Sequence, residues 1–201
     1  MNRFHRRGAL IAGLAGVLVT TGGMALSGTS TGTSTSAAGA KASFRLVADL
    51  SDKILYVYES DTITSMFDIA DGKEPYPTPK GEFRIRKLHW NPSWRPPPSD
   101  WAKNKTAKGP GEPGNPMKVV KIFFKEPDYY IHGTSDVGSL GSAGSHGCLR
   151  MSPDDVTKLG RWVLEHGGEW KGENWFMRIL HSRRQEKVIY LSNPVVLSVV
   201  E

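Results

Sequence analysis

Residues Tyr129 to Met151 read YYIHGTSDVGSLGSAGSHGCLRM. Tyr129, Tyr130 and Ile131 are aromatic or β-branched, which predicts the end of a strand. Between His132 and Cys148, seven residues besides Gly133 and Gly147 are Gly or Ser. Such a tract predicts a loop that folds back and returns Cys148 to the neighbourhood of His132. Cys148 is the only cysteine of the chain. A thiol, two imidazoles and flexible glycines in one hairpin-like unit point to a thiolate nucleophile.

A free thiol has a pKa of about 8.5 and needs a base or a positive field to ionise at neutral pH. His132 and His146 are both candidates. His146 lies two residues before Cys148 and shares its face if the backbone is extended. His132 ends a strand, a rigid platform for a positioned base. An imidazole base needs a partner on its other nitrogen to fix the tautomer. No acid of the stretch is obvious for this, Asp136 lying far along the loop, and the Gly133 carbonyl can serve. The amides of Gly147 and Cys148 are candidates for an oxyanion hole. The plainer reading treats a lone cysteine as a small buried hydrophobe.

Two further pieces change that balance. Thr78-Pro79-Lys80-Gly81-Glu82-Phe83 forms a TPxGxF turn, and Asn115-Pro116-Met117 precedes a strand. With His132-Gly133-Thr134 and Ser145-His146-Gly147-Cys148-Leu149-Arg150, they resemble the signature of the L,D-transpeptidase (YkuD-like) family. The resemblance covers roughly residues 44–168, and its SHGC portion is highly specific. It implies a mainly β fold, an L,D-transpeptidase-type β-sandwich with one helix after the catalytic cysteine loop. It also implies an enzyme of peptidoglycan, in which Cys148 attacks a donor stem peptide and forms a thioester that an acceptor amine resolves. The product is a 3→3 cross-link or a wall-attached protein. By resemblance, His132 is the base and the Gly133 carbonyl its partner. His146 and Gly147 line the substrate and oxyanion site, and Ser145 fixes the loop. Arg150 stands where many relatives have Asn, to bind a substrate carboxylate or to form a structural salt bridge. An L,D-carboxypeptidase on the same scaffold and an inactive wall-binding module remain open. The TLxTC element of sortases is absent, and the NlpC-type order of Cys before His is reversed.

The chain has 201 residues and a net charge of +6. Residues 1–40 hold Arg3, Arg6 and Arg7, an apolar run from Ala9 to Leu26, and a Ser/Thr/Gly/Ala tract. That is the layout of a secretory signal peptide with an Ala38-Gly39-Ala40 cleavage site, or of an N-terminal anchor. Residues 41–201 are then the catalytic domain, exported to the periplasm or cell wall, with membrane contact only if the leader stays. They carry a net +3, a mild bias that is no nucleic-acid footprint. A single exported cysteine makes no internal disulfide, which favours a reactive role. No metal-site spacing exists beyond the isolated His-x-Cys, and no cofactor is implied.

Along the domain, residues 43–59 predict a hairpin, 63–69 and 81–88 two more strands, and 118–124 an apolar strand before the one ending at His132. Residues 89–117 hold seven of the thirteen prolines together with Trp90, Trp94 and Trp101. A stiff aromatic excursion of this length predicts a lid or wall over the site, or a flap sealing the core edge. Ser152-Pro153-Asp154-Asp155 opens a helix with an N-cap, proline at N1 and acids in the first turn. Val156, Leu159 and Val163 mark its buried face, and Gly167-Gly168 end it. Its positive end is expected near Cys148, favouring thiolate. Residues 175–180, 187–191 and 195–200 predict closing strands.

Overall fold

The structure, a computed structural model, describes residues 43–201. The leader expected over residues 1–40 lies outside the described residues. The hairpin forms as β1 (Phe44–Asp49) and β2 (Ile54–Glu59), joined antiparallel. The side chain of Asp49 caps the turn by accepting from the amides of Ser51 and Asp52 at 2.9 and 3.0 Å. Next come β3 (Thr62–Asp68), the two-residue β4 (Asp71–Gly72) and β5 (Gly81–Trp90). Beyond the proline-rich excursion lie β6 (Lys118–Lys125) and β7 (Tyr129–Gly133). The Gly/Ser tract contributes β8 (Ala143–Ser145), and β9 (Leu149–Met151) follows the cysteine.

Helix α1 (Pro153–His166) starts as its sequence dictates: the Ser152 hydroxyl accepts from the Asp155 amide at 3.1 Å. Val156, Leu159, Val163 and Leu164 are buried along one face. Gly160, on the same face, lets the helix approach β5 and β6, because a Cβ there would stand 2.8 Å from the Trp90 ring.

Residues 175–180 form no strand. They lie within a second helix, α2 (Glu173–His181). Its buried residues, Phe176 and Ile179, are three apart, and Met177 and Arg178 between them face outward. That is helical spacing, and it overrides the β propensity of the aromatics. The last two expected strands are one, β10 (Lys187–Val200), with a register break between Tyr190 and Val195.

Eight strands make one sheet in the order β3-β2-β1-β10-β5-β6-β7-β9. Buried residues from strands across this sheet form a single core with α1 and α2. One face of the β5-β6-β7-β9 half is apolar: Leu88, Ile122, Ile131 and Leu149 are buried side by side in register. Because side chains alternate across a strand, the opposite face carries His89, Lys121, His132 and Arg150, likewise aligned in register. The core face fixes the fold, and the other face carries the chemistry.

Candidate active site

β7 and β9 are parallel, with Ile131 opposite Leu149 and His132 opposite Arg150. Cys148 immediately precedes β9, so the loop returns it beside the strand that ends at His132. The Gly/Ser tract is stitched down on its way. The Gly141 amide donates to the Ile69 carbonyl at 2.9 Å, Ala70 and Arg150 exchange backbone hydrogen bonds at 3.0 and 2.8 Å, and β8 pairs with β4.

His132 is 3 % exposed, and its Nδ1 lies 2.9 Å from the Gly133 carbonyl oxygen. A carbonyl only accepts, so Nδ1 carries the proton and Nε2 presents its lone pair. Gly133 cannot be larger: a Cβ there would meet the Lys118 carbonyl oxygen at 2.7 Å. Burial drives the His132 pKa down to about 4, against the raising effect of the Gly133 hydrogen bond, and the cations of Arg150 and Lys121 push it further down.

Cys148 is half-buried, and its thiol donates to the Asp128 carbonyl at 3.3 Å. Burial pushes it up to about 11, although the amide and hydroxyl of Tyr130 and the charges of Lys121 and Arg150 act in the opposite direction. The expectation that imidazole and helix end would leave a thiolate at rest is therefore corrected. Desolvation of both partners outweighs the local charges, and the resting pair is neutral thiol and neutral imidazole.

Ser145 is the clamp of the loop. Its hydroxyl donates to the Cys148 carbonyl at 2.6 Å and accepts from the Gly147 amide at 3.0 Å. Gly147, at φ +102°, adopts a backbone conformation that favours glycine, and a Cβ would lie 2.8 Å from the Tyr129 ring. The Gly147 amide is thus already committed, contrary to the two-amide oxyanion hole expected from sequence. Among the described residues the Cys148 amide has no protein acceptor, so it is the one left to face a substrate oxygen.

His146 does not join His132. Its ring stacks on Trp101, with centroids 4.0 Å apart and planes 13° apart, and Tyr76 stands 5.2 Å away. Burial, then Lys73, Arg150 and Lys105, hold its pKa below the usual imidazole range. Arg150 reaches only Asp136, at 4.0 Å, a loose contact with an exposed carboxylate.

The proline-rich excursion divides. Trp101 lies on the site, whereas Trp94 is 6 % exposed and bonded through its backbone to Lys108 at 2.8 Å in both directions. Trp90 is wholly buried in the core. Asn115 ties the base of the excursion, donating to the carbonyls of Pro92 and Gly109 at 2.9 Å each. In the TPKG turn, the Thr78 hydroxyl accepts from the Gly72 amide at 2.9 Å and so braces β4, which holds β8.

Sequence reasoning missed Tyr76, Asp128, Tyr130 and Lys121 as neighbours of the site. Only Lys121 left a trace, as a cation at the centre of the apolar run KVVKIFFK. No group of three or more His, Cys, Asp or Glu among the described residues is placed to hold a metal ion. No described helix is long and apolar enough to cross a membrane.

Fold and site together define a mainly β domain with a histidine on β7 and a cysteine at the start of the parallel strand β9. The chain belongs to the L,D-transpeptidase catalytic domain family, YkuD, whose profile matches residues 43–189. A Bacillus licheniformis protein named as an L,D-transpeptidase, YkuD, is 31% identical over 116 residues, 58% of each chain. The Escherichia coli protein ErfK/SrfK, named likewise, is 30% identical over 122 residues, 57% of this chain and 39% of its own. The chain spans about half the length of the curated relatives it matches. Among solved structures, an L,D-transpeptidase from Mycobacterium smegmatis superposes with a TM-score of 0.52 at 18% identity, over 80% of this chain and 59% of that one. An L,D-transpeptidase in complex with imipenem superposes with a TM-score of 0.50 at 18% identity, over 79% and 59%. At these identities the superpositions speak for the fold alone.

Proposed function

We propose that this protein is a peptidoglycan L,D-transpeptidase acting by a cysteine nucleophile. The observation that carries the reading is the Nδ1 contact of His132 with the Gly133 carbonyl at 2.9 Å, which leaves Nε2 as the basic nitrogen on the strand that pairs with the one Cys148 precedes. Membership of the family supplies the reaction class.

In this reading the Cys148 sulfur attacks the carbonyl carbon of an L,D peptide bond in a donor stem peptide, and its proton passes to Nε2 of His132. The carbonyl oxygen becomes an oxyanion facing the Cys148 amide. As the intermediate collapses, the C–N bond breaks and His132 returns the proton to the leaving D-amino acid, which leaves a thioester on Cys148. The acceptor amine attacks the thioester, His132 takes its proton, and the sulfur leaves as thiolate. That proton then returns from His132 to the sulfur. The neutral resting pair fits this cycle: His132 must be free of a proton before each attack, and burial keeps it so at neutral pH.

His146 and Trp101 form one wall of the substrate site, and Arg150 is a cation for a stem-peptide carboxylate. Residues 1–40 act as the export signal or anchor of a catalytic domain spanning 41–201, placed in the periplasm or cell wall. The acceptor is a second stem peptide or a wall-attached protein. The test is incubation of the protein with disaccharide-tetrapeptide and mass analysis of the products. Cross-linked dimers from wild type and none from Cys148→Ala support the reading. Tripeptide release without cross-links replaces it with a carboxypeptidase, and turnover by Cys148→Ala refutes it.

A further inference from the structure

β6 alternates between the two faces of the sheet. Val120, Ile122 and Phe124 are buried in the core, so Lys121 points to the face of the site. Its register partner on β7 is His132, whose own partner on β9 is Arg150. The base therefore sits in a row between two cations. Lys121 is also fixed in place. Its ammonium donates to the Ser93 carbonyl at 3.0 Å and stands 5.0 Å from the centre of the Tyr130 ring. Tyr130 in turn stacks edge-on with His132 at 5.6 Å and reaches Cys148. No carboxylate forms a salt bridge with Lys121 among the described residues; Glu186, the acid of that neighbourhood, is taken by His89 at 3.0 Å and by the Ser93 amide at 2.9 Å.

A half-buried ammonium tied to a neutral carbonyl, with no bonded counter-ion among the described residues, has its charge only partly offset, by Glu186 at longer range. The group that becomes an anion during the proposed reaction, and whose charge acts on Lys121, is the Cys148 thiol. Burial lowers the Lys121 pKa and raises that of Cys148, and against this the two charges each favour the ionised form of the other.

We propose that Lys121 is a positioning residue of the thiolate site: pinned by the Ser93 carbonyl, its ammonium supplies the counter-charge for the Cys148 thiolate formed when His132 takes the thiol proton. Arg150 shares this task from β9, opposite Asp136. The anchor on Ser93 belongs to the proline-rich excursion, so that segment sets the electrostatics of the site through Lys121 as well as covering it through Trp101. The other titratable groups facing the ammonium are His89 and Lys87 from β5, Tyr130 and His132 from β7, and Glu186 from the turn before β10. None of these supplies a second cation fixed between the excursion and β7.

The inference rests on Cys148 being the nucleophile, and the test separates it from the choice of substrate. Iodoacetamide alkylation of Cys148 in the full chain is followed from pH 6 to 10 for wild type, Lys121→Met and Lys121→Arg. Thiolate fraction falls tenfold for each unit the thiol pKa rises. Lys121→Met is expected to displace the whole rate–pH line upward by about one pH unit or more, a loss of about tenfold at pH 8. Lys121→Arg, which keeps the charge, is expected to stay within about threefold of wild type. An unchanged line in folded Lys121→Met overturns the proposal. If Lys121→Met does not fold, Lys121→Gln, which keeps a donor for the Ser93 carbonyl, makes the same comparison. Loss of folding in both assigns the ammonium to holding the excursion and overturns the proposal as well. A Lys121-dependent line in a protein that turns over no stem peptide would leave this inference standing and remove the transpeptidase reading.

Discussion

The indole of Trp101 lies flat on the imidazole of His146, with ring centroids 4.0 Å apart. The contact joins the proline-rich excursion to the cysteine loop, two segments more than forty residues apart in sequence. It gives the excursion a place at the site, and it separates two tryptophans that look equivalent in sequence. Trp101 is half-exposed against His146, whereas Trp94 is buried beneath its own segment.

The two tryptophans are expected to behave oppositely on truncation. Trp101→Ala should raise KM or slow acylation and leave stability within about 1 kcal/mol. Trp94→Ala removes a buried ring and should cost about 3 kcal/mol. Chemical denaturation and steady-state kinetics on both variants check this. Loss of stability in Trp101→Ala with normal kinetics in the folded fraction would contradict it.

Gly147→Ala is expected to lose activity without losing the fold. The added Cβ meets the Tyr129 ring at 2.8 Å, and φ of +102° is strained for alanine. The relief available is a shift of the Ser145–Cys148 clamp, and with it the sulfur. Rates of Cys148 acylation, compared at matched thermal stability, report this displacement.

His132 makes stability depend on pH. Its folded pKa of about 4 lies below its ordinary 6.5, so the unfolded chain binds a proton before the folded one does. Stability is therefore full above 6.5 and falls as pH drops toward 4, by about 3 kcal/mol for this group alone. Urea unfolding at pH 7 and pH 4 measures the loss. His132→Gln should lose less stability over the same interval, and an equal loss would show that other groups govern it.

The neutral resting pair sets the alkylation profile. The reaction of wild-type Cys148 with iodoacetamide should keep rising beyond pH 8.5, toward about 11. His132→Gln should cut enzymatic acylation by about 10²–10⁴. His146→Gln should impair turnover and leave alkylation largely unchanged. An alkylation plateau reached below pH 7 would reveal a standing thiolate–imidazolium pair.

Much of this protein is legible one segment at a time. The hairpin of β1 and β2, the Ser152 cap and the buried stripe of α1 depend on neighbours within a few residues. Turn chemistry, capping and alternation act over that range. The His132-Gly133 and Ser145-His146-Gly147-Cys148 elements also name their chemistry locally, since residue type and order are enough to identify the family. Other features depend on which surfaces meet. Residues 175–180 form a helix because Phe176 and Ile179 find the core at helical spacing. Trp94 and Trp101 differ only by what lies under each ring. The Gly147 amide is committed because the Ser145 hydroxyl lies 3.0 Å from it. The ionisation of Cys148 and His132 goes against the local reading because burial and charge are collective. Strands β6, β7 and β9, brought into register from distant parts of the chain, bury His132, partly bury Cys148, and set Lys121 and Arg150 in the same row. Desolvation and Coulomb energy depend on distances in space, which are decided only when those strands pair.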